Sequence, residues 1–266
     1  MFMTIQLFGK LVRLLMKERM AYRADFILSA FAQIISYAGD YIVIWLFIEQ
    51  FHNLAGWTWP EIAFLYSIGL FSYAIGASFS FVQMRELEGQ VKQGTFETIL
   101  IKPVNPYFYF VSRGFNLAYI AHIAISGSVL IWAMIKLGLQ WTWLDYVYLI
   151  LALIGGALIQ AGLLTAIGAM SFIWVRTGFL FSLFFRLKDF ISYPLPIFGS
   201  FVQLLLTVGV PLAFINFYPA AFLLSKEALL IPQWAMWAVP AVGPVCYWIS
   251  YRFWMYSANK YQGAGG

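Results

Sequence analysis

The sequence predicts an all-α membrane protein that crosses the bilayer with six transmembrane helices. Of its 266 residues, 62% are hydrophobic and only 10% are charged, whereas soluble domains carry roughly 25% charged residues. The mean hydropathy is +0.80, and several apolar runs reach the length of about 20 residues that a helix needs to cross a bilayer. Helices are expected rather than an open sheet, because a helix satisfies its own backbone hydrogen bonds in lipid.

The apolar runs set the predicted order of elements along the chain. The six spans are expected at about residues 26–51, 61–83, 107–135, 146–173, 190–215 and 234–256. Residues 26–256 therefore form the predicted transmembrane domain, and residues 257–266 form a C-terminal tail.

Residues 1–25 are predicted to form a separate helix that lies in the membrane interface. On a helical wheel Lys10, Arg13 and Lys17 cluster on one arc, and apolar residues occupy another arc. That distribution is typical of a helix whose apolar face lies in the lipid and whose basic face meets the headgroups. A basic topology signal without fixed helix geometry is the alternative.

The distribution of basic residues predicts the orientation of the chain. All but two of the 16 Lys and Arg residues lie in the N-terminal segment, in the second and fourth connections between spans, or at the C-terminal end. The exceptions are Lys136 and Lys226. By the positive-inside rule, both termini and these two connections are predicted to be cytoplasmic. Tryptophans at the opposite ends of the spans predict an outer aromatic belt, formed by Trp57, Trp59, Trp141, Trp143, Trp234 and Trp237.

The net charge of +5 is mostly this orientation signal. It therefore requires no nucleic-acid partner. A cytoplasmic face rich in Lys and Arg would instead attract anionic membrane lipids.

The largest polar stretch between apolar runs is RELEGQVKQGTFETILIKPVNP, residues 85–106. We call residues 85–103 the polar insert. Gly89 and Gly94 are expected to divide it into short helical pieces, and Pro103 is expected to end the last piece. Apolar side chains recur at helical spacings within it, namely Leu87, Val91, Phe96, Ile99 and Leu100. The pattern favours a short amphipathic element that docks against a soluble partner. A solvated polar loop is the alternative.

Two motifs resemble those of ABC-2-type permeases, the membrane subunits of ABC exporters. The polar insert is similar to a family segment with the core Gly-x-[Phe/Leu]-[Asp/Glu]-x-x-Leu-x-x-Pro, supplied here by Gly94, Phe96, Glu97, Leu100 and Pro103. Glu97 is a mild departure, because Asp is commoner there. The stretch VPLAFINFYPAAFLL, residues 210–224, resembles the segment after the family's fifth span, with Pro211, Phe214 and Pro219 in place.

The resemblance implies a permease of an ATP-driven exporter in a bacterial-type inner membrane. Two permeases, identical or related, would form the pathway for a hydrophobic or amphiphilic cargo such as a drug, antibiotic, peptide or lipid. A separate cytoplasmic ATPase would bind ATP and Mg²⁺, because this chain has no G-x-x-x-x-G-K-[ST] motif and is expected to be no enzyme itself. The polar insert would be the coupling element, through Leu87, Val91, Phe96, Glu97, Leu100 and Pro103.

Asp40 is the one carboxylate deep in a predicted span, and such groups are functional candidates because their burial in lipid is costly. It could bind a cationic cargo in the pathway, pair with a buried base or carry a proton. A structural hydrogen bond to a neighbouring Tyr or Ser is the alternative. His52 and His122 lie far apart and match no metal-binding motif, so no metal site is expected.

Residues 214–233 are too apolar for an exposed loop and too short to span twice, so a re-entrant segment is predicted. In the resembled family, short helices here cap the pathway on the outside. The resemblance therefore implies an outer gate made of Phe214, Phe217, Tyr218 and Phe222. Aromatic anchoring at the interface is the alternative.

Small residues predict where helices pack closely. Ser72, Gly76 and Ser80 recur every four residues in the second span, and Ala161, Thr165 and Ala169 do so in the fourth span.

Two other classes of membrane protein predict different sequence patterns. A transporter driven by an ion gradient predicts more intramembrane ionisable residues and internal inverted repeats. A membrane-embedded enzyme predicts clustered acids or histidines at the membrane face. The sequence shows neither pattern.

Overall fold

The structure, a computed structural model, describes residues 23–51, 54–116, 118–174, 176–227 and 230–262. Within these ranges every regular element is a helix, and the sole β-type pairing is an isolated bridge between Leu54 and Trp57. The predicted interfacial helix over residues 1–25 lies almost wholly outside the described residues.

The α-helices are numbered in chain order: α1 is Arg23–Phe51, α2 Trp59–Lys92, α3 Glu97–Leu100, α4 Pro106–Ser112, α5 Tyr119–Leu137, α6 Trp143–Ala169, α7 Gly178–Phe190, α8 Ser200–Leu204, α9 Phe217–Leu223 and α10 Val239–Asn259. Short 3₁₀ turns lie at Met170–Phe172, Leu195–Ile197, Leu212–Phe214 and Gln233–Ala238, and a π-helical turn lies at Leu205–Gly209.

Four stretches of helix are long and apolar enough to cross a membrane, namely Ile27–Leu46, Trp59–Lys92, Tyr119–Leu137 and Trp143–Phe172. They correspond to the first four predicted spans. A fifth candidate is a pair of helical segments, Ser200–Gly209 and Leu212–Leu223, which meet at an angle of 78°. The sixth predicted span corresponds to the Gln233–Ala238 turn and α10, which is not among these candidates. The structure therefore supports an all-helical membrane protein with four or five candidate spans.

The expectation of one continuous helix over residues 190–215 is wrong. Between α7 and α9 the chain forms only short 3₁₀, α and π turns. Pro194, Pro196 and Pro211 lie in this stretch, and a proline interior to a helix removes a backbone hydrogen bond and clashes with the preceding turn. Helical structure starts earlier than predicted instead, at Gly178.

The third predicted span, residues 107–135, is also interrupted. Helix α4 ends at Ser112 and α5 begins at Tyr119. The break packs against α2, because the amide N–H of Asn116 donates to the Ser78 carbonyl oxygen at 3.0 Å, and Gln83 Nε2 donates to the Val111 carbonyl oxygen at 3.3 Å.

The helix bundle has two ends, defined by contacts along α2. At the tryptophan end, α2 and α6 both start with a capping box, in which Thr58 pairs with Glu61 and Thr142 pairs with Asp145. Reciprocal bonds of this kind satisfy amides that a helix start leaves without partners. The basic end holds the last turn of α2, the whole of α3, the start of α7 and the end of α10. There the Tyr261 hydroxyl, just after α10, donates to the Val91 carbonyl oxygen in the last turn of α2. The Gly178 N–H at the start of α7 donates to Glu88 of α2.

The core of the bundle is the packing of α6 between α2 and α10. Here glycine lets backbones touch: a Cβ at Gly76 would collide with the carbonyl of Ala157, and one at Gly243 would collide with Gly155. A Cβ at Gly155 would in turn lie 2.7 Å from the Pro240 carbonyl oxygen. Both predicted small-residue rows are buried along this core, as expected for close packing of membrane helices.

We expect Gly76→Leu to destabilise the folded protein by about 1–3 kcal/mol, because the added side chain must push α2 away from α6. The measurement is thermal unfolding in detergent, followed by size-exclusion chromatography. The matched control is Gly39→Leu in α1, where no atom lies within 4 Å of an added Cβ. Equal stability of the two variants would contradict the close contact.

Candidate functional site

The polar insert is anchored in the bundle at the basic end. Helix α2 continues through Gly89 to Lys92, so the predicted break at Gly89 is wrong. Gly94 does interrupt the helix: its φ of +69° lies in the left-handed region that glycine adopts without a steric penalty. The single turn of α3 follows at once.

Phe96 is the anchor of the polar insert. Its side chain is 0% exposed, and its ring packs against four aromatic rings with centroid distances of 4.9 to 6.1 Å. These rings belong to Phe110, Phe172, Trp254 and Tyr261. We call this group the Phe96 cluster; it joins α3 to α4, to the end of α6 and to α10.

The six predicted coupling residues divide between the interior and the surface. Leu87 and Phe96 are buried inside the subunit and Val91 is half-buried, so the expectation that all the apolar side chains face a partner needs correction. Glu97, Leu100 and Pro103 are exposed. Burial follows from the packing of α3 onto α4 and α10, which the sequence pattern alone does not define.

The exposed face of the insert consists of Glu97, Leu100, Ile101, Lys102 and Pro103, and we call it the α3 surface. Leu100 is 40% exposed and Ile101 is 84% exposed. The predicted coupling residues do not include Ile101, although an isoleucine directly before a Lys-Pro pair could have indicated an exposed apolar side chain. The α3 surface thus presents apolar and charged side chains on a rigid base.

Glu88 fastens α7 to the end of α2. Its Oε2 accepts hydrogen bonds from the backbone N–H groups of Thr177 and Gly178 at 2.8 and 2.9 Å, and from the Thr177 hydroxyl at 3.1 Å. Lys92, one turn further along α2, forms an ion pair with the other carboxylate oxygen. An anion at a helix start stabilises the amides that lack helical partners.

Glu88 lies beyond the membrane-spanning part of α2. The helix has 34 residues and is about 51 Å long, against about 30 Å for the hydrocarbon core. The hydrogen bond from Lys92, together with those from Thr177, lowers the pKa of the Glu88 carboxyl from 4.5 to about 2. The group is therefore a carboxylate at neutral pH. The sequence pattern does not indicate this role of Glu88, because its partners lie some 90 positions further along the chain.

A second group of polar side chains lies at membrane depth between α1, α2 and α7. Asp40 Oδ2 accepts a hydrogen bond from the Tyr66 hydroxyl at 3.2 Å, while the Asp40 residue itself is exposed on α1. Lys188 Nζ lies 4.7 Å from the centre of the Tyr73 ring. Tyr73 is about 21 Å along α2 from its start at Trp59. Lys188 therefore lies within the bundle and not in the cytoplasmic connection that the distribution of basic residues predicts for it.

His122 is buried among tyrosines. Its ring centroid lies 4.4 Å from that of Tyr37, 4.8 Å from that of Tyr119 and 6.2 Å from that of Tyr73. No group of three or more His, Cys, Asp or Glu side chains that could hold a metal ion occurs among the described residues. His52 lies outside them.

The four predicted gate residues pack at the tryptophan end. Phe217 and Tyr218 are buried, and Phe214 and Phe222 are half-buried. The Tyr218 hydroxyl hydrogen-bonds the Thr207 hydroxyl at 2.9 Å, and the Phe222 ring lies 4.4 Å from that of Tyr148. The structure thus brings all four to one region. Whether they open and close a pathway stays a prediction.

Two polar contacts hold this segment against α2. Asn216 Nδ2 donates to the carbonyl oxygens of Leu65 and Ile191 at 3.3 and 2.6 Å. Lys226 Nζ pairs with Glu61 at 2.9 Å and donates to the Gly56 carbonyl oxygen at 2.9 Å. Helix α9 therefore runs from the level of Leu65 toward the tryptophan end. A cavity of about 390 Å³ opens beside it, lined by Trp141, Asp145, Phe222 and Gln233 among others.

We expect Glu88→Ala to loosen the start of α7, because the charged hydrogen bonds it removes contribute about 1.5–3 kcal/mol. Hydrogen–deuterium exchange of the peptide that contains Thr177 and Gly178 should become roughly 10- to 100-fold faster. Glu86→Ala is the matched control, because Glu86 is exposed on the same turn of α2. Equal exchange in both variants would contradict the proposed fastening.

The same contact predicts a dependence on acid. A carboxyl pKa that folding lowers stabilises the protein fully above pH 4.5, and this contribution is lost as the pH falls toward about 2. Slow exchange at Thr177 should therefore persist at pH 5.

Comparison with known protein families identifies the family of the chain. A family model described as ABC-2 family transporter protein matches residues 34–265, a range that includes the polar insert, the gate residues and every described helix from α2 to α10. Comparison with individual curated proteins gives no match. The chain therefore belongs to the ABC-2 transporter family and is a permease, the membrane component of an ABC transporter.

Proposed function

We propose that the chain forms half of the translocation pathway of an ATP-driven exporter for a hydrophobic or amphiphilic cargo. A separate ABC ATPase drives it, and a second permease, identical or related, completes the pathway. The proposal rests on family membership and on one observation: the α3 surface presents Leu100, Ile101 and Glu97 outward on a segment whose other side is fixed in the bundle by Phe96.

The contacts of α3 support a role in transmitting motion. A displacement of α3 acts on the Phe96 cluster and therefore on α4 and α10. The insert is also continuous with α2, and Glu88 joins the end of α2 to the start of α7. A partner that pushes on the α3 surface thus moves several helices together as rigid bodies, which is a common mode of conformational change.

In this proposal the basic end faces the cytoplasm, in a bacterial-type inner membrane, and the ATPase docks there. The tryptophan end faces outward, and Phe214, Phe217, Tyr218 and Phe222 close the pathway on that side. Asp40 faces the pathway from α1. Helix α1 exposes a long apolar surface, with Ile27, Leu28, Phe31, Ile35, Ile42 and Leu46 each more than half exposed. Membrane lipid and the second permease share this surface.

We expect the double variant Leu100→Ala, Ile101→Ala to weaken binding of the ATPase by roughly 2–4 kcal/mol, from about 1–2 kcal/mol for each truncated apolar anchor. Insertion in the membrane should be normal, because both side chains are exposed beyond the spans. The measurement is co-purification of an ATP-hydrolysing subunit with the tagged permease from its native host. The control is Ile131→Ala, Ile135→Ala, an equal truncation of exposed side chains on α5.

Normal association of the Leu100, Ile101 variant would contradict docking at the α3 surface. Loss of association in the α5 control as well would mean that truncation of any exposed isoleucine disturbs the protein. The first outcome would exclude the α3 surface as the coupling site, and the second would remove the support that this variant gives to it.

We also expect protease-accessible tags at the N- and C-termini to be cleaved only from the cytoplasmic side. A tag between Leu139 and Gln140, in the short connection of α5 to α6, should be cleaved only from the outside. The reason is the strong asymmetry of Lys and Arg between the two sets of connections. Termini on opposite sides of the membrane would rule out the proposed orientation.

A further inference from the structure

Helix α4 lies along the membrane plane rather than across it. Its Tyr107 hydroxyl hydrogen-bonds the Thr165 hydroxyl at 3.1 Å, and its Val111 carbonyl oxygen accepts a hydrogen bond from Gln83 Nε2 at 3.3 Å. Thr165 is about 33 Å along α6 from the start of that helix, and Gln83 is about 36 Å along α2 from its start. Both α2 and α6 start at the tryptophan end. The two sides of α4 are therefore at nearly the same distance from that end.

At this distance α4 lies at the level of lipid head groups. The tryptophan end marks one surface of the membrane, and the hydrocarbon core is about 30 Å thick. A helix that is about 33–36 Å away from that end lies just beyond the opposite surface of the core. After α4 the chain returns toward the core, because Asn116 bonds to the carbonyl oxygen of Ser78, about 29 Å along α2.

Two cations meet at one aromatic ring on the outer side of α4. The Lys102 ammonium lies 4.7 Å from the centre of the Tyr109 ring, and the guanidinium carbon of Arg113 lies 5.7 Å from it. Both basic residues are exposed, and Tyr109 is half-buried. Phe108, the neighbour of the ring, is 47% exposed. We call Lys102, Tyr109 and Arg113 the Tyr109 site.

The Tyr109 site concentrates positive charge without a matching anion. A cation over an aromatic face is stabilised by the ring, but two like charges that share one ring also repel each other. Among the residues that the structure describes, no carboxylate lies within ion-pair distance of either cation. An anion bound between Lys102 and Arg113 would offset the repulsion and would be held from both sides.

Other basic residues on the same end of the bundle are arranged differently. Arg252 lies 5.9 Å from the centre of the Trp248 ring, and Lys260 lies 4.5 Å from that of Tyr256. Each of these rings meets one cation, so neither pair brings two positive charges together. They provide a matched comparison for the Tyr109 site.

We infer that the Tyr109 site binds the phosphate of an anionic phospholipid. Arginine and lysine both donate charged hydrogen bonds to phosphate oxygens, and a guanidinium can donate two in parallel. The site lies at the level of the head groups, and the exposed Phe108 offers an apolar surface to an acyl chain. Basic pockets on membrane helices recognise such head groups. The inference rests on the proposed function only in assigning this lipid to the cytoplasmic leaflet.

An acidic side chain of the ATPase is the competing anion, because Lys102 also belongs to the α3 surface. Two observations favour the lipid. Arg113 lies at the far end of α4, where the chain turns back toward the membrane core. Phe108 is exposed at head-group level, where an acyl chain covers it and a soluble partner would leave it in contact with lipid.

Lipid binding to the permease alone tests the inference. The probes are phosphatidylglycerol and phosphatidylcholine, each with two 14-carbon chains, so that only the head group differs. The measurement is native mass spectrometry of the permease in a non-ionic detergent. We expect phosphatidylglycerol to bind about tenfold more tightly, because its net charge is negative and that of phosphatidylcholine is zero. Equal affinities for the two lipids would overturn the inference without recourse to any variant.

Charge variants locate the binding. The double variant Lys102→Gln, Arg113→Gln should abolish the preference for phosphatidylglycerol, whereas the charge-conserving Lys102→Arg, Arg113→Lys should keep it. The matched control is Arg252→Gln, Lys260→Gln, which removes the same charge from the same end of the bundle. This control should bind both lipids as the wild type does. An equal loss of preference in the control would mean that net charge attracts the lipid, and would overturn the Tyr109 site.

Two further results would also contradict the inference. Displacement of phosphatidylglycerol by an equal concentration of glycerol 3-phosphate would show that the site takes a free phosphate and gains nothing from a lipid chain. An unchanged lipid preference in Lys102→Gln, Arg113→Gln, together with lost co-purification of the ATPase, would identify an acidic group of the partner as the anion. The lipid assays contain no ATPase, so their outcome is independent of the Leu100, Ile101 docking test.

Discussion

The close contact of α6 with α2 and α10 is the constraint on which the other features depend. At Gly76, Gly155 and Gly243 one helix backbone touches another, with no side chain between them. In lipid no hydrophobic effect drives helices together, so dense packing of this kind and buried hydrogen bonds must hold the bundle. The three helices form a rigid unit against which the peripheral elements are placed.

The peripheral elements are held by fewer and more polar contacts. Helix α1 packs mainly on α5 and exposes most of its length, and α7 is attached at its start by Glu88 and at its end by the contact of Ile191 with Asn216. The short turns between α7 and α9 expose Phe201, Leu204 and Val208. Such a division, with a fixed core and lightly attached outer helices, suits a protein that must change shape without unfolding.

The sequence predicted the helical class, the first four spans and the place of the polar insert, because apolar length and charge are local properties. The expectation for residues 190–215 failed because it rested on apolar length alone, whereas Pro194, Pro196 and Pro211 divide the helix. The burial of Phe96 could not be predicted either. Its neighbours Phe172, Trp254 and Tyr261 are distant in sequence, and one exposed and one buried phenylalanine look alike in a helical pattern. The contacts of Glu88, Lys188 and Asn216 could not be predicted for the same reason, because tertiary packing decides which residues they meet.

The unusual length of α2 has a mechanical consequence. Its 34 residues form one uninterrupted helix, about 51 Å from end to end, with Gly76 near its midpoint in contact with α6. Because α2 also contacts α6 at Ser72 and Met84, it tilts together with α6 as one stiff rod, with two arms of about 25 Å on either side of Gly76. If it tilts by about 10°, each end travels roughly 4 Å, in opposite directions, which is comparable to the width of an alkyl chain. A tilt that displaces the end of α2 beside α3 therefore displaces the other end, beside Trp59 on the opposite side of the bilayer, by an equal distance in the opposite direction.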